Sequence, residues 1–243
     1  MPKAPKSLKQ TVLKTNRMTS TPQAAGASRF GSKRGATHSH LYTDDNPETT
    51  LHGTGFKDSD TARHTIKIVS KRSLAYQFQT INPMYHRAKG HPNKTPGIKA
   101  AMSIFGEWLT ITYPNAKKSL RASAFKPVLS KEIMSAYASK CRAAISKDDL
   151  RFLDVYTRLP TNKRITNVLL NNSEPGGKDW EQERYDVLCR IVPEGKEEFS
   201  DFTLEELWDT ESQPTDVHLR WIAWGWSPVP HRTLAGRAKA LVL

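Results

Sequence analysis

Residues 95–114 read TPGIKAAMSIFGEWLTITYP, and this stretch carries the clearest indication of fold in the chain. Thr95 and Pro96 mark a helix start, because threonine caps helix N-termini and proline suits the first helical position. Apolar residues then recur at the spacing of one helical face: Ile98, Ala101, Met102, Phe105, Trp108 and Leu109. Tyr113 and Pro114 are expected to end this helix. The stretch therefore predicts an amphipathic helix that packs against a core.

The residues before this helix predict another one, which begins near Asp58. Ser59 or Asp60 can cap it, and apolar residues follow at helical spacing as far as Ile81. Pro83 is expected to kink or end this helix, with one short helical turn over residues 84–88.

Beyond residue 127 the same signals repeat. Capping residues precede apolar stripes at Ser146, Asp179, Thr203 and Thr215. Val217, Trp221 and Trp224 are expected to point inward from the helix that Thr215 caps. No segment shows the clean alternation over four to eight residues that is typical of a strand. We therefore predict an all-α fold, a compact multi-helix domain with short connections.

The first 56 residues are rich in Thr, Ser, Gly, Pro and Lys and lack a sustained apolar period. Such a segment cannot bury enough apolar surface to offset the entropy of ordering it. We expect residues 1–56 to be a disordered basic tail and linker, and residues 57–243 to be a helical domain. A shift in charge near residue 126 would divide this domain into a basic front and an acidic back.

Charge is unevenly distributed along the 243 residues, whose formal net charge is +13. Residues 1–40 hold eight Lys and Arg and no acid, and residues 57–126 hold thirteen against three acids. Residues 127–243 hold sixteen Lys and Arg against eighteen acids. Such segregation favours a polyanionic partner, and the commonest is the nucleic-acid backbone. An acidic protein or an anionic membrane surface would be attracted to the same positive charge.

The densest polar cluster is NPMYHRAKGHPNKT, residues 82–95, which combines cations, imidazoles and an aromatic ring. These groups suit phosphate contacts and base stacking, and the predicted helix start at Pro96 would favour an anion nearby. Together with a basic face on the preceding helix, this gives the predicted nucleic-acid-binding residues: Arg63, Lys67, Lys71, Arg72, Tyr85, His86, Arg87, Lys89, His91 and Lys94.

Several classes of function lack their sequence signature here. There is no dinucleotide-binding glycine motif, phosphate-binding loop, nucleophile elbow or zinc-protease motif. The two cysteines, Cys141 and Cys189, suit neither a disulfide framework nor a metal site. We predict no metal, no cofactor and no membrane span, and assign no catalytic residue. An intracellular location is expected, nuclear or cytoplasmic in preference to the mitochondrial matrix.

The leading hypothesis is a non-enzymatic nucleic-acid-binding protein, RNA or DNA, and one variant is a packaging or coat protein. The stretch HLRWIAWGW, residues 218–226, supports an alternative. Core packing is the favoured interpretation of these tryptophans, but Trp226 is less easily buried, and an exposed tryptophan could stack a base or anchor a partner helix. An adaptor is therefore the second hypothesis. The third is an enzyme acting on a polyanion, with Tyr85, His86 and His91 near the chemistry.

Overall fold

The computed structural model describes residues 51–119, 121 and 124–240, all of which belong to one compact unit. The predicted disorder of residues 1–50 lies outside the described residues. Residues 51–56 are ordered along the first helix, where Gly55 donates its N–H to Thr65 Oγ1 at 2.9 Å. Regular packing therefore begins earlier than the predicted start near Asp58.

The described residues are helical and contain no strand, which confirms the all-α prediction. The helices are α1 (Ser59–Val69), α2 (Leu74–Gly90), α3 (Pro96–Glu107), α4 (Tyr113–Ser119), α5 (Lys131–Ala144), α6 (Lys147–Arg158), α7 (Trp180–Ile191), α8 (Leu204–Leu207), α9 (Asp216–Ala223) and α10 (His231–Ala240). A π-helical turn, Trp108–Thr112, joins α3 to α4. Within the described part of the chain, no helix is long and apolar enough to cross a membrane.

The long helix predicted from Asp58 to Ile81 is in fact two helices. Asp58 caps α1 and accepts a hydrogen bond from the Thr61 N–H, and Ser73 caps α2 through the Tyr76 N–H. Pro83 lies inside α2 and does not end it. Burial of Ile81 and Ala88 on either side offsets the hydrogen bond that proline cannot donate.

The helix that begins at Pro96 was predicted to end at Tyr113 and Pro114, and that prediction is wrong. The Tyr113 N–H donates to the Trp108 carbonyl, five residues earlier, which closes the wide π turn. Pro114 then falls in the first turn of α4, where a helix tolerates proline. The chain therefore continues as helix to Ser119.

Two hydrophobic clusters organise the helices. The front cluster buries six residues of α1, α2, α3 and the π turn: Ala62, Val69, Ile81, Ala101, Phe105 and Trp108. The back cluster buries twenty-seven residues and includes most of the tryptophans. We call α1–α4 the front helices and α5–α10 the back helices. The back helices thus have the much larger core.

Val217 was predicted to face inward with the tryptophans of α9, but it is exposed. Trp221 and Trp224 are buried as predicted, and so is His218. The inward side of this short helix therefore carries both aromatic and aliphatic side chains, and Val217 lies on the solvent side.

Candidate nucleic-acid interface

One side of α1 presents a row of cations to solvent. Ala62, Thr65 and Val69 are buried against the front cluster, and the helical repeat therefore turns Arg63 and Lys67 outward. Lys71 is also exposed, just after the end of the helix. These three residues, which we call the α1 face, are four positions apart, or roughly 6 Å along a helix axis.

Arg72 was predicted to belong to this basic face, and the structure places it elsewhere. Its side chain is only 2% exposed, and its Nε donates to Asp179 Oδ2 at 3.2 Å. The other guanidinium nitrogens donate to the carbonyls of Pro175 and Thr166 at 3.1 and 2.9 Å. The guanidinium also stacks 3.7 Å above the Tyr76 ring. Arg72 is a structural residue, because its guanidinium nitrogens already donate hydrogen bonds to buried acceptors within the protein.

The other predicted residues gather at the C-terminal end of α2 and in the loop that follows. His86, Arg87, Lys89 and Lys94 are exposed. We call Arg87, Lys89 and Lys94 the helix-end group. Each of these three cations has its side chain in solvent, where an anion can approach it.

Tyr85 and His91 lie beside the helix-end group but serve packing. Tyr85 is partly buried against the front cluster and its ring lies against Gly106. The His91 ring meets Phe56 edge-on at 6.4 Å, and its Nδ1 lies 3.0 Å from the Asn93 carbonyl. Neither ring is presented to solvent in the way that base stacking would require.

The starts of α1 and α3 meet at this end of the front helices. Thr95 caps α3 by accepting from the Ile98 N–H at 3.2 Å. A Cβ added to Gly97 would lie 2.6 Å from the Lys57 carbonyl oxygen, so only glycine fits this close approach. Lys57 therefore lies at the same end as the helix-end group. From this end, α1 runs for roughly 16 Å, and the α1 face lies along it and just beyond its last residue.

The front cations differ from the back ones in their partners. Among the described residues, surface ion pairs of the front helices are limited to Lys57–Asp58 and Arg63–Asp60, each 3.9 Å long and solvent-exposed. No ion pair joins Lys67, Lys71, Lys89 or Lys94 to a carboxylate of the described chain. The positive charge of these residues is therefore largely uncompensated.

In the back helices and their connections, several cations form close ion pairs with carboxylates. The Lys178 ammonium lies 2.6 Å from Asp186, and this hydrogen bond raises the pKa of Lys178. Lys196 lies 2.7 Å from Glu206 and lowers the pKa of that carboxyl. Further close pairs are Arg121–Glu197, Arg142–Asp154 and Arg220–Asp149. These charges are neutralised within the protein.

The tryptophans of residues 218–226 are not a partner surface. Trp226 is 3% exposed, and its Nε1 donates to the Ala124 carbonyl at 3.0 Å. Trp221 and Trp224 are 3% and 1% exposed. Core packing, the favoured interpretation of these tryptophans, is therefore confirmed for Trp226 as well, because the Ala124 carbonyl accepts its indole N–H while the ring packs against Phe125 and Trp221.

A histidine–serine pair escaped the sequence analysis. His218 Nε2 lies 2.8 Å from Ser227 Oγ, and Nδ1 lies 3.0 Å from the Leu207 carbonyl. An oriented imidazole beside a hydroxyl is also the arrangement of an activated nucleophile. However, His218 is completely buried, and burial lowers its pKa to about 4. Ser227 Oγ also accepts the Val229 N–H. The pair fixes the turn after α9, and its imidazole is closed off from solvent.

The described residues contain no group of three or more His, Cys, Asp or Glu that could hold a metal ion. Cys141 and Cys189 are both free thiols. No family model, curated protein or solved structure matches the chain.

Proposed function

We propose that this protein binds nucleic acid without catalysis and that the front helices contact its phosphate backbone. The observation that carries the proposal is the exposed positive charge of Lys67, Lys71, Lys89 and Lys94, which no ion pair joins to a carboxylate of the described residues. Lysines and arginines that neutralise phosphates release condensed counterions, which favours binding at low and moderate salt. In the described back helices and their connections, carboxylates neutralise several of the surface cations.

The individual roles follow from exposure. Arg63, Lys67 and Lys71 would contact successive phosphates along α1, while Arg87, Lys89 and Lys94 would extend the contact at the helix ends. His86 is exposed beside them. Tyr85 and His91 would position the loop, and Arg72 would fix the start of α2 through Asp179.

The eight cations of residues 1–40 would add sequence-independent affinity. These contacts carry no base recognition by themselves, and the interaction would therefore tolerate many sequences.

The test compares two triple variants of the full chain that remove the same charge. One replaces Arg63, Lys67 and Lys71 with glutamine. The control replaces Lys147, Lys163 and Arg164, which are exposed on the back helices and their connections. Binding to generic single-stranded RNA and duplex DNA is measured across a salt series.

We expect the front variant to weaken binding and to reduce the salt slope on duplex DNA by about three, since each lost phosphate contact removes about 0.9 from the slope. The control should retain most of the slope. Equal losses in the two variants would show that net charge alone acts, and the proposed interface would then be wrong. Absence of binding by the unmodified chain at low salt would refute the function itself.

A further inference from the structure

A groove of about 410 Å³ lies beside α1, between this helix and the turn formed by residues 174–177. One wall carries His64, Lys67 and Lys71, which are three and four residues apart and therefore follow one side of the helix. The opposite wall is the turn itself, which belongs to the connection that precedes α7. The α1 face is thus one side of a concave surface.

Hydrogen bonds fix the turn that forms the second wall. The Gly177 N–H donates to the Glu174 carbonyl at 2.8 Å, which closes the turn. The Pro175 carbonyl accepts from Arg72 Nη1 at 3.1 Å, and this bond ties the turn to the residue that follows Lys71. Arg72 is therefore a positioning residue for the groove. A wall that is fixed in advance loses little conformational freedom on binding, and this favours affinity.

Three donors of the groove have no acceptor among the described residues. The exposed ammonium groups of Lys67 and Lys71 form no ion pair with a carboxylate there. Gly176 lies against α1, since a Cβ added to it would be 3.5 Å from the Ile68 carbonyl oxygen, and its N–H donates no hydrogen bond to the described chain. Cationic side chains and backbone N–H groups are the donors with which proteins hold phosphate oxygens.

The lining of the groove is otherwise mostly apolar, and Ile68 and Pro175 contribute carbon surface to it. A free phosphate ion gains nothing from such surface. In a nucleic-acid backbone, the sugar beside each phosphate presents C–H groups, whose contact with the lining removes apolar area from water. The groove therefore matches a phosphate together with its sugar better than it matches an inorganic anion.

Glu174 is the one carboxylate that lines the groove, and its charge opposes an anion there. Its Oε2 lies 3.1 Å from the position of a Cβ added to Gly177, so the carboxylate is folded back over its own turn. No ion pair joins it to Lys67 or Lys71 within the described chain. Removal of this carboxylate charge is therefore expected to strengthen the binding of an anion, whereas removal of either lysine charge is expected to weaken it.

From these observations we infer that the groove between α1 and residues 174–177 holds one sugar–phosphate unit of the bound strand. Lys67 and Lys71 contact the phosphate from one wall, and the Gly176 N–H donates to it from the other. The apolar lining packs against the sugar. This inference rests on the proposed function and gives the backbone interface one defined contact.

The experiment titrates the full chain with ribose 5-phosphate, inorganic phosphate and ribose, and separately with a single-stranded oligonucleotide that has no terminal phosphate. Backbone amide resonances are followed by NMR, and the Gly176 amide reports on the groove. Gly195 provides the matched control amide, because it lies in an exposed turn after α7 and its N–H also donates no hydrogen bond to the described chain.

Two pairs of variants each compare a groove residue with a residue of the same charge outside the groove. Lys67→Gln is compared with Arg63→Gln, which removes a cation of α1 that does not line the groove. Glu174→Gln is compared with Asp60→Asn, which removes a carboxylate at the start of α1. All four side chains are exposed, so each variant should fold, and thermal unfolding checks this.

We expect ribose 5-phosphate to shift the Gly176 resonance saturably and to leave the Gly195 resonance unchanged. Inorganic phosphate should bind more weakly, and ribose should not bind. Lys67→Gln should lower the affinity for ribose 5-phosphate by about threefold, and Glu174→Gln should raise it by about as much, as is usual for exposed charge pairs. Arg63→Gln and Asp60→Asn should leave this affinity nearly unchanged.

The outcomes separate this inference from the function on which it rests. If the oligonucleotide binds with steep salt dependence but the Gly176 amide does not respond to it, the groove inference is overturned and the proposed function stands. If ribose 5-phosphate binds at Gly176 but the oligonucleotide does not bind, the groove is supported as a sugar–phosphate site and the proposed function fails. Equal effects within either pair of variants, or equal affinities for inorganic phosphate and ribose 5-phosphate, overturn the groove inference.

Discussion

The front and back helices use charge in opposite ways. The back helices surround twenty-seven buried residues and pair many of their surface cations with carboxylates. The front helices surround six buried residues and leave Lys67, Lys71, Lys89 and Lys94 exposed without a carboxylate among the described residues. Charge that is not used to stabilise the fold is available to a partner. The smaller core of the front helices thus coincides with the surface that we propose to be functional.

One buried network joins the two sets of helices. Asp179 Oδ2 accepts from Arg72 Nε, from the Ser73 N–H and from Ser73 Oγ, and its Oδ1 accepts from the Gln182 N–H at 2.8 Å. The carboxylate therefore caps α7 and also fixes the start of α2. Its loss would remove three hydrogen bonds that join Arg72 and Ser73 to the start of α7, while Arg72 would keep its bonds to the Pro175 and Thr166 carbonyls.

Asp179→Ala is expected to have the largest effect on stability. Removing one partner of a buried ion pair typically costs about 3–5 kcal/mol, because the other charge is left buried without compensation. The free energy of unfolding, measured by urea titration, should fall by this amount. Asp154→Ala removes an exposed partner of Arg142 and should cost below about 1 kcal/mol. Similar losses in the two variants would mean that the Arg72–Asp179 network does not hold the helices together.

The sequence predicted features that depend on neighbouring residues. Thr95, Ser146, Asp179, Thr203 and Thr215 all cap the helices at which they were placed. A capping residue acts on backbone N–H groups two or three positions later, so a short stretch of sequence contains the necessary information.

The sequence did not predict features that depend on distant residues. Arg72 was read as a surface cation because its neighbours Lys67 and Lys71 are exposed, but its partner Asp179 is 107 residues away. The same holds for Trp226, whose indole partner is the Ala124 carbonyl, 102 residues away. For the candidate site, the exposed cations were predictable from composition and spacing. A groove lined by residues from two separate segments, 64–71 and 174–177, was not predictable in this way.

Acid should destabilise the back helices through His218. Burial, assisted by the positive charge of Arg237 and opposed by the Leu207 carbonyl, lowers the pKa of His218 from 6.5 to about 4. Between pH 6.5 and about 4, the unfolded chain therefore binds a proton on His218 that the folded chain does not bind. The free energy of unfolding should fall as the pH is lowered from 6.5 toward 4, by about 3 kcal/mol in total, and this contribution should be constant above pH 6.5.

The control for this pH effect is His218→Gln, which removes the titrating ring. The difference in unfolding free energy between the unmodified chain and this variant should shrink as the pH is lowered from 6.5 toward 4. Carboxylates that titrate in this range affect both proteins alike, so their contribution cancels from the difference. Urea titrations at several pH values measure it. A difference that is independent of pH would show that the buried imidazole does not control the acid stability of the back helices.

The smallest effect tests whether the front and back helices unfold together. Gly90 in α2 and Gly236 in α10 each have open space where a Cβ would lie, so alanine should stabilise either helix by about 0.5 kcal/mol.

The front core is too small to persist once the back helices unfold, whereas the back core can remain folded while the front helices open. Amides of the front helices should then exchange about twofold more slowly in Gly90→Ala and be unchanged in Gly236→Ala. Amides of the back core, which exchange only through global unfolding, should respond to both substitutions. Hydrogen exchange of the folded protein measures both sets, and a front response to Gly236→Ala as large as that to Gly90→Ala would mean that the helices unfold as one unit.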